Sequence, residues 1–83
     1  MTQTSFNGAG PSNPGGFRIV RWREGYRIDE VDALVDRIAA GAVTSDEVHQ
    51  ARLTPVRLRP GYDMNDVDKY LDRTAADLRA SGR

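Results

Sequence analysis

Few side chains in this chain are spaced for catalysis. There is one histidine, His49, and no cysteine. That excludes thiolate metal sites, iron–sulfur clusters, disulfides and a cysteine nucleophile, and leaves no second histidine for zinc. A Ser-His-Asp set would have to draw on Ser45 or Ser81, and neither sits in a nucleophile elbow. Asp32 and Asp36, and again Asp68 and Asp72, stand four apart on one helical face. A hard-cation site needs about six convergent oxygens, so a solvated face is expected, with Arg37 and Arg73 easing the like charges. Tyr26 and Tyr62 invite comparison with a general acid or a phosphorylation site, but packed aromatics with hydroxyls satisfied at the surface are the expectation. The glycine-rich stretch GAGPSNPGG lacks the lysine of a phosphate loop. The sequence predicts no enzyme, no cofactor and no metal.

What remains is recognition. Trp22 lies between Arg21 and Arg23. An indole favours the lipid headgroup boundary, and each arginine adds about 1 kcal/mol at an anionic surface. Stable anchoring takes two such signals, so a duplicated loop or a dimer would be needed. The competing expectation is that Trp22 fills the core and the arginines pair with Asp29, Asp32 or their counterparts. Arg18, Arg21, Arg23 and Arg27 around Trp22 also allow nucleic-acid stacking. Glu24, Asp29, Glu30 and Asp32 follow closely, however, and twelve basic against twelve acidic residues give a net charge of zero, which argues against phosphate-backbone binding.

The elements that must carry these residues belong to a chain of 83 residues, 39% hydrophobic and 29% charged, the mix of one small globular domain. No window approaches the roughly 18 apolar residues of a membrane span, and no secretory leader is visible; the chain is expected to be mature and cytoplasmic. Residues 1–16 are uncharged, rich in Gly, Pro, Ser and Asn, and hold one large apolar residue, Phe6; they read as a disordered tail. Residues 17–79 form the expected domain. About sixty residues bury only about 60% of their surface, so a homo-oligomer would be a natural remedy for marginal stability.

An offset of 36 superposes two halves without a gap. Val20, Arg21, Arg23, Gly25, Tyr26, Val31, Asp32, Asp36, Arg37, Ala39 and Ala40 recur as Val56, Arg57, Arg59, Gly61, Tyr62, Val67, Asp68, Asp72, Arg73, Ala75 and Ala76. The repeats run 17–40 and 53–79, with a connector at 41–52, and are expected to bury each other's apolar faces. Ile28, Val31, Val35, Ile38 and then Met64, Val67, Leu71, Ala75, Leu78 have helical spacing. Asp63 is the expected N-cap of the second helix, with Asp66 completing a capping box. Arg27 replaces that aspartate in the first copy. Gly41 is expected to stop the first helix, and Thr44 or Ser45 to cap a short connecting helix. Ile19, Val20, Trp22 and Val56, Leu58 read as extended, and the two segments could pair as a two-stranded ribbon, although Pro55 and Pro60 favour an edge. Gly25 and Gly61 are expected to make tight positive-φ turns. The fold class is therefore mainly α: one small domain of two pseudo-repeats, each an arginine-rich extended segment, a Gly-Tyr turn and an amphipathic helix.

RLRPGYDMNDVDKYLDR, preceded by TSDEVHQARLTPV, resembles the N-terminal domain of the DivIVA family of bacterial polar and septal proteins. In that family a short helix leads into a loop, a basic residue, Gly-Tyr-Asp, an acid, Val-Asp and a hydrophobic helix. Gly61, Tyr62, Asp63, Val67 and Asp68 follow that order, and Gly25, Tyr26, Val31 and Asp32 form a degenerate copy. The resemblance implies a scaffold at curved membrane near septa and poles that recruits division or cell-wall proteins. It implies contact through an exposed aromatic followed by a basic residue: Trp22-Arg23, and less closely Leu58-Arg59, each one residue further from the glycine than in the family. The family's long coiled coil is not in this sequence. The expected partners are therefore division or cell-wall proteins, larger DivIVA-family members and an anionic membrane surface. The alternative is a purely soluble adaptor that holds protein in an apolar groove along Leu34, Ile38 and Leu78.

Overall fold

Residues 13–82 are described in the computed structural model of the chain. Three helices form where the apolar spacing is helical: α1 (Ile28–Ala39), α2 (Ser45–Gln50) and α3 (Met64–Ala80). Asp63 caps α3, its Oδ1 accepting the Asp66 N–H at 3.0 Å. The capping box expected there does not close, because the Asp66 carboxylate turns to Arg18. α2 does close one: Thr44 Oγ1 accepts the Glu47 N–H at 3.2 Å and Glu47 Oε1 accepts the Thr44 N–H at 2.9 Å. α1 starts after Arg27 with no side-chain cap. It ends at Gly41, φ 70°, where the N–H groups of Gly41 and Ala42 reach the carbonyls of Ile38 and Arg37, a Schellman arrangement that only glycine makes at low cost.

The helices make up about half of the described residues, and a small antiparallel sheet accompanies them, so mainly α describes only part of the fold. The strands are β1 (Ile19–Val20), β2 (Gly25–Tyr26), β3 (Pro55–Val56) and β4 (Gly61–Asp63), in the order β1-β4-β2-β3. Two expectations are corrected. Gly-Tyr is not a turn; the two pairs lie in the central strands, with Tyr26 opposite Tyr62. Neither Gly25 nor Gly61 has positive φ. Glycine is required there by close approach: a Cβ on Gly25 would lie 2.7 Å from the Tyr62 carbonyl oxygen, and one on Gly61 3.0 Å from that of Tyr26. Nor do β1 and β3 pair as a ribbon. They form opposite edges of the sheet, which suits Pro55 because proline cannot donate to a ladder.

Every strand pairing joins the first half of the chain to the second, since β4 lies between β1 and β2, and β2 between β3 and β4. The partners keep the offset of 36. Ile19 opposite Tyr62 and Val20 opposite Gly61 reappear as Pro55 opposite Tyr26 and Val56 opposite Gly25. The Asp63 N–H bonds the Arg18 carbonyl at 2.8 Å, and the Arg27 N–H bonds that of Thr54 at 2.9 Å. Tyrosine hydroxyls are exchanged too: Tyr62 donates to Asp32 at 2.7 Å and Tyr26 to Asp68 at 2.8 Å.

Phe17, Val31, Val35, Tyr62 and Val67 form the main core. A second cluster, Val43, Val48 and Ala75, seats α2 on α3 with Ile38, Leu71 and Leu78 packed against it. Leu34 is buried as well, while Ile38 and Leu78 are half-buried against the second cluster. The Phe17 ring lies 5.4 Å from that of Tyr62 and edge-on to Tyr70 at 5.3 Å. Of the expected tail, residues 1–12, Phe6 included, lie outside the described residues. Residues 13–16 make a turn in which the Asn13 side chain brackets the Phe17 backbone, accepting its N–H at 2.9 Å and donating to its carbonyl at 2.8 Å.

Candidate contact surface at the two loop tips

The sheet topology creates the two protrusions. β1 and β2 both run antiparallel to β4, so residues 21–24 must travel back along β4, from beside Gly61 to beside Asp63. Residues 57–60 make the equivalent return along β2. With four residues each, these connections are too short to fold back over the helices, and their middle side chains face water. Trp22 is 82% exposed and Leu58 81%. The expectation that Trp22 fills the core is overturned: Phe17 and Tyr62 occupy the sheet-facing interior, and the β1–β2 crossing carries Trp22 outward.

The tips share a backbone course but differ in charge. At the first, Arg23 donates to the buried Asp63 carboxylate at 2.6 Å. Arg18 lies 3.8 Å from the same group and grips Asp66 through Nε and Nη2, each at 3.1 Å, while its backbone N–H adds a third bond. This hydrogen-bonded pairing lowers the Asp66 pKa and raises that of Arg18. The arginines thus pair with Asp63 and Asp66, neither with Asp32 nor with the counterpart of Asp29, Asn65. Arg21 has no ion pair among the described residues.

At the second tip Arg27 stands where Asp63 stands in the first. Its Nε bonds Asp29 at 2.8 Å. Thr54 replaces Arg18, and its N–H and hydroxyl bond Glu30 at 2.7 and 3.0 Å. Arg57 and Arg59 have no ion pair among the described residues. The Arg59 N–H folds back to the Arg57 carbonyl at 2.7 Å and tightens the loop. Arg27, Arg57 and Arg59 line an open groove of about 570 Å³ with Thr54, Pro55, Val56 and Leu58.

The sequence cluster of Arg18, Arg21, Arg23 and Arg27 is therefore divided. Arg18 and Arg23 converge on Asp63 at the first tip, where Arg18 also holds Asp66, while Arg27 belongs to the other tip. Of the predicted motif residues, Gly25, Gly61, Tyr26, Tyr62 and Asp63 meet in the central strands. Val31 and Val67 form the core beneath them, and Asp32 and Asp68 receive the tyrosine hydroxyls. Sequence reasoning missed the pairing of Arg18 with Asp66 and the place of Arg27 beside Arg57 and Arg59. The available signal was the one position at which the repeats exchange an acid for a base.

A larger trough of about 930 Å³ lies beside Tyr26 and Asp68 and includes His49, Arg52 and Asp72 in its lining. At the corresponding place in the other half the Phe17 ring lies against Tyr62. Among the described residues no three histidine or carboxylate side chains converge as metal ligands. No helix among them is long and apolar enough to cross a membrane. Comparisons of the chain with known protein families, curated proteins and solved structures found no match.

Proposed function

We propose that this chain is a non-enzymatic, DivIVA-like interaction module that sets its two loop tips against an anionic membrane surface. It serves there as an adaptor for protein partners in bacterial cell division, polarity or envelope growth, at the inner face of the membrane near septum or poles. Its two halves are degenerate copies of one motif, a reading supported by the offset of 36 kept in the strand register. One observation carries the function: Trp22 and Leu58, 36 apart and flanked by arginines, are the two most exposed large apolar residues among those described. Leaving such side chains in water forgoes about 1.5–3 kcal/mol each. Transferring both to a headgroup boundary recovers much of this while the flanking guanidinium groups remain at the phosphates. One tip alone would bind weakly; two supply the pair of signals that stable association requires.

The test is co-sedimentation with phosphatidylglycerol and phosphatidylcholine vesicles, run beside sedimentation equilibrium. The wild-type chain is expected to pellet with the anionic vesicles, and Trp22→Ala with Leu58→Ala should abolish pelleting while circular dichroism stays unchanged. A folded double variant that still pellets removes the tips from the mechanism. A wild-type chain that stays in the supernatant removes the membrane and leaves the soluble protein-binding adaptor.

A further inference from the structure

The repeat aligns the tips residue by residue, and the charge changes nearly offset: Pro60 for Glu24 and Arg27 for Asp63 make the second tip more positive, Thr54 for Arg18 and Asp29 for Asn65 less so, which leaves it the more basic by about one charge. The first tip holds three arginines, Arg18, Arg21 and Arg23, and three carboxylates, Glu24, Asp63 and Asp66, of which Asp63 and Asp66 are paired with Arg18 and Arg23. The second holds Arg27, Arg57 and Arg59 with two carboxylates, Asp29 and Glu30, and of these arginines only Arg27 is paired, with Asp29. Glu30 is held by the backbone and hydroxyl of Thr54, and Pro60 stands where the first tip has Glu24. Most importantly, Arg23 donates to Asp63, whereas its counterpart Arg59 faces a groove shared with a second arginine, Arg27. Of the three arginines that line the groove, Arg27 is bonded to Asp29 through Nε, and Arg57 and Arg59 have no ion pair among the described residues, so guanidinium N–H donors are left for an anion. A phosphoryl anion matches their planar, forked geometry better than a compact monovalent anion does. Leu58, Val56 and Pro55 supply an apolar wall beside the charge.

We propose that the groove beneath Leu58 is a phosphate subsite formed by Arg27, Arg57 and Arg59, and that the Trp22 tip has no equivalent because Asp63 occupies that position. The ligand class is a phosphate ester or free phosphate. The inference deepens the membrane reading and rests on it only for the ligand's source: a lipid headgroup if the tips meet a bilayer, a soluble phosphate if they do not. It divides the labour between the tips, Trp22 providing interfacial partitioning and the Leu58 groove providing selectivity for anionic lipid.

The experiment has two arms on the full chain. In the first, inorganic phosphate is titrated at constant ionic strength and followed by amide ¹H–¹⁵N spectra. Saturable shifts are expected at Thr54, Arg57, Leu58, Arg59 and Arg27, with far smaller ones at residues 21–24. Arg27→Asp, which copies the Asp63 arrangement and so retains the fold, should abolish them. In the second arm, Arg57→Gln with Arg59→Gln should lower the preference for phosphatidylglycerol over phosphatidylcholine vesicles about 30-fold, about 5-fold per arginine, whereas Trp22→Ala should weaken binding to both vesicles alike. Absent groove shifts, equal shifts at both tips, or shifts that survive Arg27→Asp overturn the subsite, even if the vesicles pellet. Groove shifts without any vesicle binding uphold the subsite with a soluble phosphate as ligand and overturn the membrane reading instead.

Discussion

Tyr62 and Tyr26 occupy the same place in the two halves, sit opposite each other in the central strands, and each donates to an aspartate of the other half. Yet Tyr62 is fully buried and Tyr26 only partly. The difference comes from their neighbours. Phe17 lies against Tyr62, while its counterpart Leu53 leaves a trough beside Tyr26. The same division holds at the tips, where Asp63 neutralises one and Arg27 charges the other. A shared backbone register therefore coexists with a sealed, neutral half and an open, basic one. A few substitutions between the copies suffice, because side-chain volume and charge can change without disturbing a ladder made of main-chain groups.

Four measurements would break or sharpen that contrast. The largest effect is expected from Tyr62→Ala, a cavity in the centre of the core that should cost about 3–5 kcal/mol, a large share of the stability of a domain this small. Tyr26→Ala should cost clearly less by chemical denaturation, and equal losses would show that the halves are energetically alike. Next come the glycines. Gly25→Ala drives a Cβ against a backbone carbonyl at 2.7 Å, Gly61→Ala against one at 3.0 Å; overpacking of this kind costs about 1–3 kcal/mol. Gly25→Ala should have the lower melting temperature, and a neutral result at both would remove close approach as the reason for glycine.

The cap positions should give smaller and opposite changes. Asp63→Ala removes the α3 cap and orphans Arg23, lowering stability by about 1–2 kcal/mol, while Arg27→Asp supplies the missing α1 cap and raises it by about 0.5–1 kcal/mol. Denaturation midpoints that move in the same direction for both would contradict the contrast. The last effect is nil at neutral pH. Burial first, and then the hydrogen bond to Asp68, push Tyr26 up to about 12, and burial with Asp32 raises Tyr62 also. A folded-state value above the unfolded one, about 10, means that this stabilisation is complete below about pH 10 and declines as pH rises through the folded-state value. Between pH 9 and 12 the denaturation midpoint should fall, and less steeply in Tyr26→Phe and Tyr62→Phe; unchanged slopes would show that the hydroxyls do not titrate with unfolding.

Much of the local structure was legible because its causes are local. The helical spacing of Val31, Val35 and Val67, the caps at Asp63 and Thr44, and the stop at Gly41 depend on residues a few positions apart. The offset of 36 reappears in the partners of the edge strands, Ile19 with Tyr62 and Pro55 with Tyr26. The Gly-Tyr pairs were misread as turns because glycine serves equally for a positive φ and for close backbone approach, and only the neighbouring strand distinguishes the two. The candidate site was half legible. Trp22 and Arg23 stood out by type, but whether an indole is core or surface depends on what else fills the interior, here Phe17 and Tyr62.

By itself the sequence determined the helical segments, the Asp63 cap, the stop at Gly41 and the absence of cysteine chemistry, since these follow from residue identity and short-range spacing. Tertiary structure alone decided that the strands of the two halves interleave, that Trp22 and Leu58 face water, and that Arg23 meets an acid while Arg59 shares its groove with Arg27. Each of these depends on groups about 30 to 40 residues apart in the chain, whose meeting is fixed by the mutual burial of two apolar faces and by strand register, a long-range choice that no local pattern encodes.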